Sequence, residues 1–353
     1  VVEPTLQDYA GHCYDLTRSL CEAAGGRPVT VWGGKGAAQL QFEPGVGLRP
    51  YFYRRWRVPQ LYWLFRRLLR GGEPVILTTA RRADLALANL AAGGEIRPGT
   101  LFLYFHWYRE SPRRLRFLRR MAVAQPGITI LATTDLVADA FRRAGFGRVA
   151  TLPYPLTARP SKAAPPDAAF RHLLCAGAAR QEKGFGRIVD LVERLCATGE
   201  TLPMTVQVSA EHYGKYEDRT LADIRRLERT GYPALTLVRE TLRPEEYAAL
   251  YRGAICIQPY DPLEFRDRVS GVTLDALAHG SPVIVPADTW MARIAEPNSA
   301  GVSVRALDPG SILEAARTIV RDYARFSRNA LEAGKALRAR SWTPLIELLD
   351  GLA

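Results

Sequence analysis

The stretch "AICIQPYDPLEFRDRVSGVTLDALAHGSPVIVP", residues 254 to 286, runs from an apolar segment through a charged, glycine-broken loop into a helix-length segment, then into a second apolar run. "AICIQPY" and "PVIVP" are strand-sized and rich in β-branched residues, "VTLDALAHG" is a helix with Gly280 as its stop, and "DPLEFRDRVSG" is the loop between. A strand, a helix and a second buried strand in succession predict a parallel sheet with helices packed on it.

The rest of the chain repeats the alternation. "VTVW", "PVILTT", "TLFLYF" and "GITILATT" punctuate the first half, and "HLLCAG", "MTVQVSA" and "LTLVRE" precede the opening stretch in the second. At 353 residues the chain exceeds what one core usually serves, which predicts about two domains. Between the halves lies "PYPLTARPSKAAPPDAAF" (153 to 170), whose five prolines cannot sit in a core element and mark a linker. The expected architecture is α/β, with two Rossmann-like doubly wound domains facing across a cleft: an acceptor domain over 1–157, a linker over 158–170 and a donor domain over 171–336. The segment 337–353, ending in "SWTPLIELLDGLA", is expected to form a helix after its Thr-Pro break that packs back on the first domain.

Composition narrows the function classes. Hydrophobic content of 47% with 24% charged residues is that of an ordinary soluble protein, and no apolar run approaches the ~18 residues that span a bilayer. The opening "VVEPTLQDYAGH" has neither a basic start nor a small-residue cleavage site, so no signal peptide is expected. Cys13, Cys21, Cys175, Cys196 and Cys256 stand singly, without metal-ligand spacing, as in a reduced, cytoplasmic protein. Net charge is +12, and "YFYRRWRVPQLYWLFRRLLR" (51–70) and "YRESPRRLRFLRR" (108–120) mix arginines with large apolar groups. Solvated helix faces account for that pattern; so does peripheral contact with an anionic membrane at its inner face. No nucleic-acid motif accompanies the arginines, and nucleic acid is not an expected partner.

Two loops carry the chemistry. In "CAGAARQEKGFGRIVDLVERL" a strand ends at Cys175, small residues follow, and a helix begins near Phe185 with Ile188, Leu191, Val192 and Leu195 on one face. Such a loop leaves backbone N–H groups free, and Arg180 and Lys183 add positive charge beside them, an arrangement suited to a diphosphate. In the opening stretch Ser270 and Gly271 fall at a helix N-terminus, where the macrodipole favours an anion. Asp267 and Asp275 flank that point. Carboxylates beside a phosphate site are tolerated if they face hydroxyls, which points to the ribose and hexose of a nucleotide sugar.

Taken in order, "GAARQEKG", "ETLRPEEYAALYRGAICIQPY", "DRVSGVTLDALAHGSPVIVP" and "SAGVSV" resemble the donor domain of the retaining family-4 glycosyltransferases of GT-B fold. The amino-terminal "GHCYDLTRSLCEAA", "YFHWYRE" and "ATTDLVADAFRRAGFGRVATLPYP" are compatible with the same family. The family's two glutamates, with seven residues between them, fall on Asp267 and Asp275, each one methylene shorter, and Ala178 stands where many members have arginine. The resemblance implies that Arg180 and Lys183 bind the donor diphosphate, Asp267 the sugar hydroxyls and Asp275 the ribose. It implies that Gly177, Ser270, Gly271 and Val272 line the donor site and that Gly11 allows close approach to the donor. His106 would contact the sugar near the reacting carbon, although a histidine at a strand end is often simply hydrogen-bonded there. Arg266 and Arg268 suit a phosphate or an acidic sugar.

The activity so implied is retaining transfer of a hexose from a nucleotide diphosphate sugar to a glycan or lipid-linked acceptor, as in polysaccharide assembly. No D-x-D triplet or ligand cluster occurs, so neither a metal nor another cofactor is expected, and the basic pair takes the cation's part. Two rivals remain: a nucleotide-sugar epimerase of the same fold, and a non-catalytic sugar-nucleotide binder.

Overall fold

The computed structural model describes residues 1–9, 12–156, 169–208, 217–240 and 242–351. The chain divides into two compact units, one made of Val1–Thr157 with Arg338–Ala353 and the other of Ala158–Leu337. Apart from residues 169 and 170, the linker expected over 158–170 lies outside the described residues, as does Gly11.

The first unit runs α1 (His12–Ala23), β1 (Val29–Gly34), β2 (Val46–Phe52), α2 (Arg57–Gly71), β3 (Val75–Leu77), α3 (Arg82–Ala92), β4 (Leu101–Phe105), α4 (Pro112–Ala124), β5 (Thr129–Ala132), α5 (Asp135–Arg143) and β6 (Val149–Thr151). β3, β4, β5 and β6 pair side by side, β1 pairs with β2, and Val2 bridges Trp32 of β1 to Leu77 of β3, all in parallel. β4 and β5 are buried at every position, as central parallel strands covered on both faces must be. Leu61, Leu64, Leu85, Leu118 and Phe141, from α2 to α5, pack in one cluster with Leu101, Leu103 and Ile130 of the sheet. Leu16 and Leu20 of α1 join a second cluster with Ile76, Phe102 and Tyr104.

The second unit runs β7 (His172–Cys175), α6 (Phe185–Ala197), β8 (Met204–Gln207), α7 (Asp218–Arg229), β9 (Leu235–Val238), α8 (Pro244–Ala249), β10 (Ala254–Ile257), α9 (Pro262–Phe265), α10 (Gly271–Ala278), β11 (Val283–Pro286), α11 (Trp290–Ala295), β12 (Gly301–Val304) and α12 (Pro309–Arg321), followed by α13 (Tyr323–Ala339). Its six strands are parallel in the order β12-β11-β10-β7-β8-β9. α6 lays Ile188, Leu191, Val192 and Leu195, all fully buried, against this sheet, the face its sequence periodicity predicts. The chain then returns to the first unit, where α14 (Thr343–Asp350) carries Leu345, preceded by Trp342, into the cluster of Leu16 and Tyr104.

Strand order reverses between β7 and β10. In open parallel sheets ligands bind beyond the carboxyl ends of the strands at such a reversal, because the connections leave to opposite faces and part there. The loops that follow β7 and β10 are the two charged loops picked out in the sequence.

Candidate functional site

After Cys175 the chain turns through Gly177, which has φ +90°, a value few side-chain-bearing residues adopt. A Cβ there would stand 3.2 Å from both the Lys183 Nζ and a Val272 methyl, so this glycine lets the two loops converge. Its N–H donates to the Gln207 side chain at the end of β8 (2.7 Å). Residues 181–183 form a single 3₁₀ turn, closed by Gly184 at φ +69°. A Cβ at Gly184 would lie 1.9 Å from the Pro259 carbonyl oxygen, so only glycine permits this approach. The Asp261 N–H donates to the Glu182 carbonyl (2.9 Å) and the Arg187 guanidinium to the Pro259 carbonyl (2.8 Å), pinning the first loop to the second.

The second loop is ordered from beneath. Gln258, buried just past β10, accepts hydrogen bonds from the hydroxyls of Ser270 (3.1 Å) and Thr273 (2.6 Å). Ser270 Oγ in turn accepts from the Thr273 N–H (3.3 Å) and so caps α10. Gly271 is exposed at the first helical position and Val272 is buried behind it. A buried polar network satisfied in this way holds its members rigidly.

Lys183 is the electrostatic centre. Its ammonium lies 5.6 Å from the centre of the buried Tyr260 ring and has no ion-pair partner among the described residues. Burial pushes its pKa below that of an ordinary lysine, and the neighbouring charges of Arg180 and then Arg268 push the same way. Three cations whose charges bear on one another, with Glu182 the acid beside them, make a site that gains from an incoming anion. Arg180 lies 3.6 Å from the Glu182 carboxylate, and Arg268 stands 4.9 Å from the Phe265 ring centre. Burial holds the Cys175 thiol up at about 12, so it stays protonated at neutral pH and is no nucleophile.

The two aspartates have different surroundings. Asp275, on α10, accepts from the Tyr247 hydroxyl (3.4 Å), which is 2.7 Å from that of Tyr251. Burial raises both phenols well above their usual pKa and keeps them as neutral donors. His279 stacks on Tyr251 with ring centroids 5.5 Å apart. Asp267 instead meets two guanidiniums: its Oδ1 lies 3.3 Å from Arg293 and its Oδ2 3.5 Å from Arg266.

Gly177, Arg180, Lys183, Arg268, Ser270, Gly271 and Val272 thus belong to one end of β7 and β10, with Asp267 and Asp275 on the loop and helix there. His106 belongs to the other unit, just beyond β4, where its Nε2 is 2.7 Å from the Thr78 carbonyl oxygen and its ring meets those of Tyr104 and Tyr154. Sequence reasoning missed Gln258, Tyr260, Tyr247 and Arg293. Gln258 directly follows a buried strand and Tyr260 stands two residues further on, a signal that could have been read. Arg293 is one arginine among many on a helix face, and no spacing marks it.

No family model and no curated protein matches the chain, whereas solved structures resemble it over nearly its whole length. Sucrose-phosphate synthase from Thermosynechococcus elongatus superposes with a TM-score of 0.70 at 17% identity, covering 99% of this chain and 97% of that one. HepE of Anabaena, solved with UDP-glucose, gives 0.68 at 13% identity over 99% and 98%. An α,α-trehalose-phosphate synthase (UDP-forming) from Burkholderia xenovorans, in complex with glucose-6-phosphate, gives 0.65 at 10% identity over 99% of each chain. At these identities the likeness is one of fold, and the fold is GT-B.

Proposed function

We propose that the protein is a glycosyltransferase that moves a hexose from a nucleotide diphosphate sugar to a hydroxyl of a glycan or lipid-linked acceptor. The observation that carries this reading is the convergence of the Lys183 loop and the Ser270 helix start at the strand-order reversal, in a fold whose neighbours include one solved with UDP-glucose. In the proposed arrangement Lys183 and Arg180 bind the diphosphate, and the N–H groups at Ser270 and Gly271 receive its distal phosphate. Asp275 accepts from the ribose hydroxyls, held in place by Tyr247.

The step breaks the bond between the sugar's anomeric carbon and the distal phosphate oxygen and forms one from that carbon to the acceptor oxygen. The electron pair leaves with the diphosphate, which takes the acceptor's proton. Lys183, Arg180 and Arg268 stabilise the charge that develops on the departing oxygen, the term that preorganised cations supply most effectively. We assign this role to them rather than to a divalent ion, and assign retention of anomeric configuration on the resemblance set out above. A membrane-proximal acceptor on the cytoplasmic side is supported by α2, where Trp56 and Trp63 are 65% and 61% exposed two turns apart, with exposed Arg67 and Arg70 next along that side. Among the described residues no helix is long and apolar enough to cross a membrane.

Incubation with UDP-, GDP- and ADP-sugars tests the reading. Nucleotide release that depends on added acceptor is the expected result. An isomerised sugar without transfer would identify an epimerase, and tight binding without turnover a binding protein; either would overturn the proposal.

A further inference from the structure

We propose that the transferred sugar carries a carboxylate, so that the donor is a nucleotide diphosphate hexuronate. The inference rests on the proposed function, because it takes the 266–270 loop to face the donor sugar.

Asp267 occupies the position from which a carboxylate would accept the sugar's hydroxyls, yet both its oxygens are engaged by guanidiniums, Oδ1 by Arg293 at 3.3 Å and Oδ2 by Arg266 at 3.5 Å. The Arg293 guanidinium is anchored a second time, donating to the Arg266 carbonyl at 2.7 Å. An aspartate is one methylene shorter than a glutamate, and the shorter side chain rests against α11 instead of extending outward. What this spot offers a sugar is therefore cationic: Arg266 and Arg293 flank Asp267, two positive charges to its one negative. Arg268 is committed to the phosphate side, where its charge already acts on Lys183. Arg266 and Arg293 are left for the sugar, with side chains 64% and 44% exposed.

A neutral hexose has only hydroxyls to place there, and these gain little from guanidiniums already paired to a carboxylate. A C6 carboxylate has two coplanar oxygens that match the guanidinium fork and complete the charge balance. Hydrogen bonds to charged groups of this kind correspond to about a tenfold to hundredfold preference in binding, reduced where solvent screens them. Salt should weaken the preference, since both arginines are partly exposed.

Neutral and uronic members of matched pairs, glucose with glucuronate and galactose with galacturonate, each linked to UDP, GDP or ADP, are compared by calorimetric titration and by nucleotide release. The expected result is a preference of about tenfold or more for one uronic member over its neutral partner, and a fall of that ratio by at least about threefold in Arg293→Gln. Arg266→Gln, at the more exposed position, gives the same reading if the first variant fails to fold. A neutral donor bound and turned over as well as or better than its uronic partner overturns this inference and leaves the transferase reading standing. A uronate preference that neither variant lowers overturns the assignment to these arginines, and failure of every pair to bind removes the inference together with the proposed function.

Discussion

Lys183 is held charged at a cost to the fold. Its ordinary, unfolded-state pKa is near 10.5, and burial with Arg180 lowers the folded value. Between those two values the unfolded chain binds more protons, so stability rises with pH through that window, and below it the charged amine destabilises the folded state. Lys183→Met is expected to raise the melting temperature at pH 7 and to weaken nucleotide diphosphate binding by about 100-fold or more, the loss typical of removing a preorganised phosphate-binding charge. Scanning calorimetry and titration read the two effects. A lower melting temperature with unchanged affinity would remove Lys183 from the proposed donor site. The same lowered pKa predicts that donor affinity falls at a less alkaline pH than an ordinary lysine would give. A pH series of dissociation constants for the wild type, compared with Lys183→Arg, checks the sign, because arginine stays charged throughout.

At the level of elements, the two loops depend on two tight features. Gly184→Ala should cost about 1–2 kcal/mol from the left-handed backbone alone, with more from the overlap with the Pro259 carbonyl, and should lift the 180–184 turn from its support. Urea unfolding and nucleotide titration should both register it, and an unchanged midpoint would show that the loop tolerates the shift. Ser270→Ala should lose about 1 kcal/mol of capping and leave Gln258 with one donor fewer. The strands that hold these loops were legible because β10 and β11 are short, apolar and buried throughout and β7 carries a buried Leu173-Leu174 pair at its centre. β2 was not: "VGLRPYF" has Arg49 and Pro50 inside it and only its last residue is buried, the signature of an edge strand whose pairing comes from β1 and not from its own composition. The loop positions of Lys183 and Ser270 were legible for the same local reason, since each follows a visible strand. The partnership of Asp267 with Arg293 was not, because it joins a loop residue to one on a separate helix and depends on side-chain packing that no sequence period records.

On the scale of the whole molecule, the excess of 48 basic over 36 acidic residues makes association with anionic surfaces a salt-dependent expectation. Liposomes with anionic lipid should co-sediment the protein, and Trp63→Ser together with neutral substitutions at Arg67 and Arg70 should reduce the bound fraction severalfold. Sedimentation indifferent to lipid charge would sink the peripheral-membrane part of the proposal. Turnover unaffected by a chelator is the corresponding expectation for a diphosphate neutralised by Arg180 and Lys183.

The return of the chain to its first unit also orders its birth. Trp342 donates to Ser19 (3.1 Å), Ser341 accepts from the Leu156 N–H (3.2 Å), and Arg27 pairs with Asp350, so three contacts join residues 19, 27 and 156 to residues made well after them. Ala158–Leu337 is continuous, and its described strands are all synthesised before the segment from Arg338 onward. The unit that starts first is thus completed second, and nascent chains halted before residue 338 should show the later unit resisting protease while the earlier one is still cut. An N-terminal unit already protected at that point would mean that α14 only covers a core closed without it.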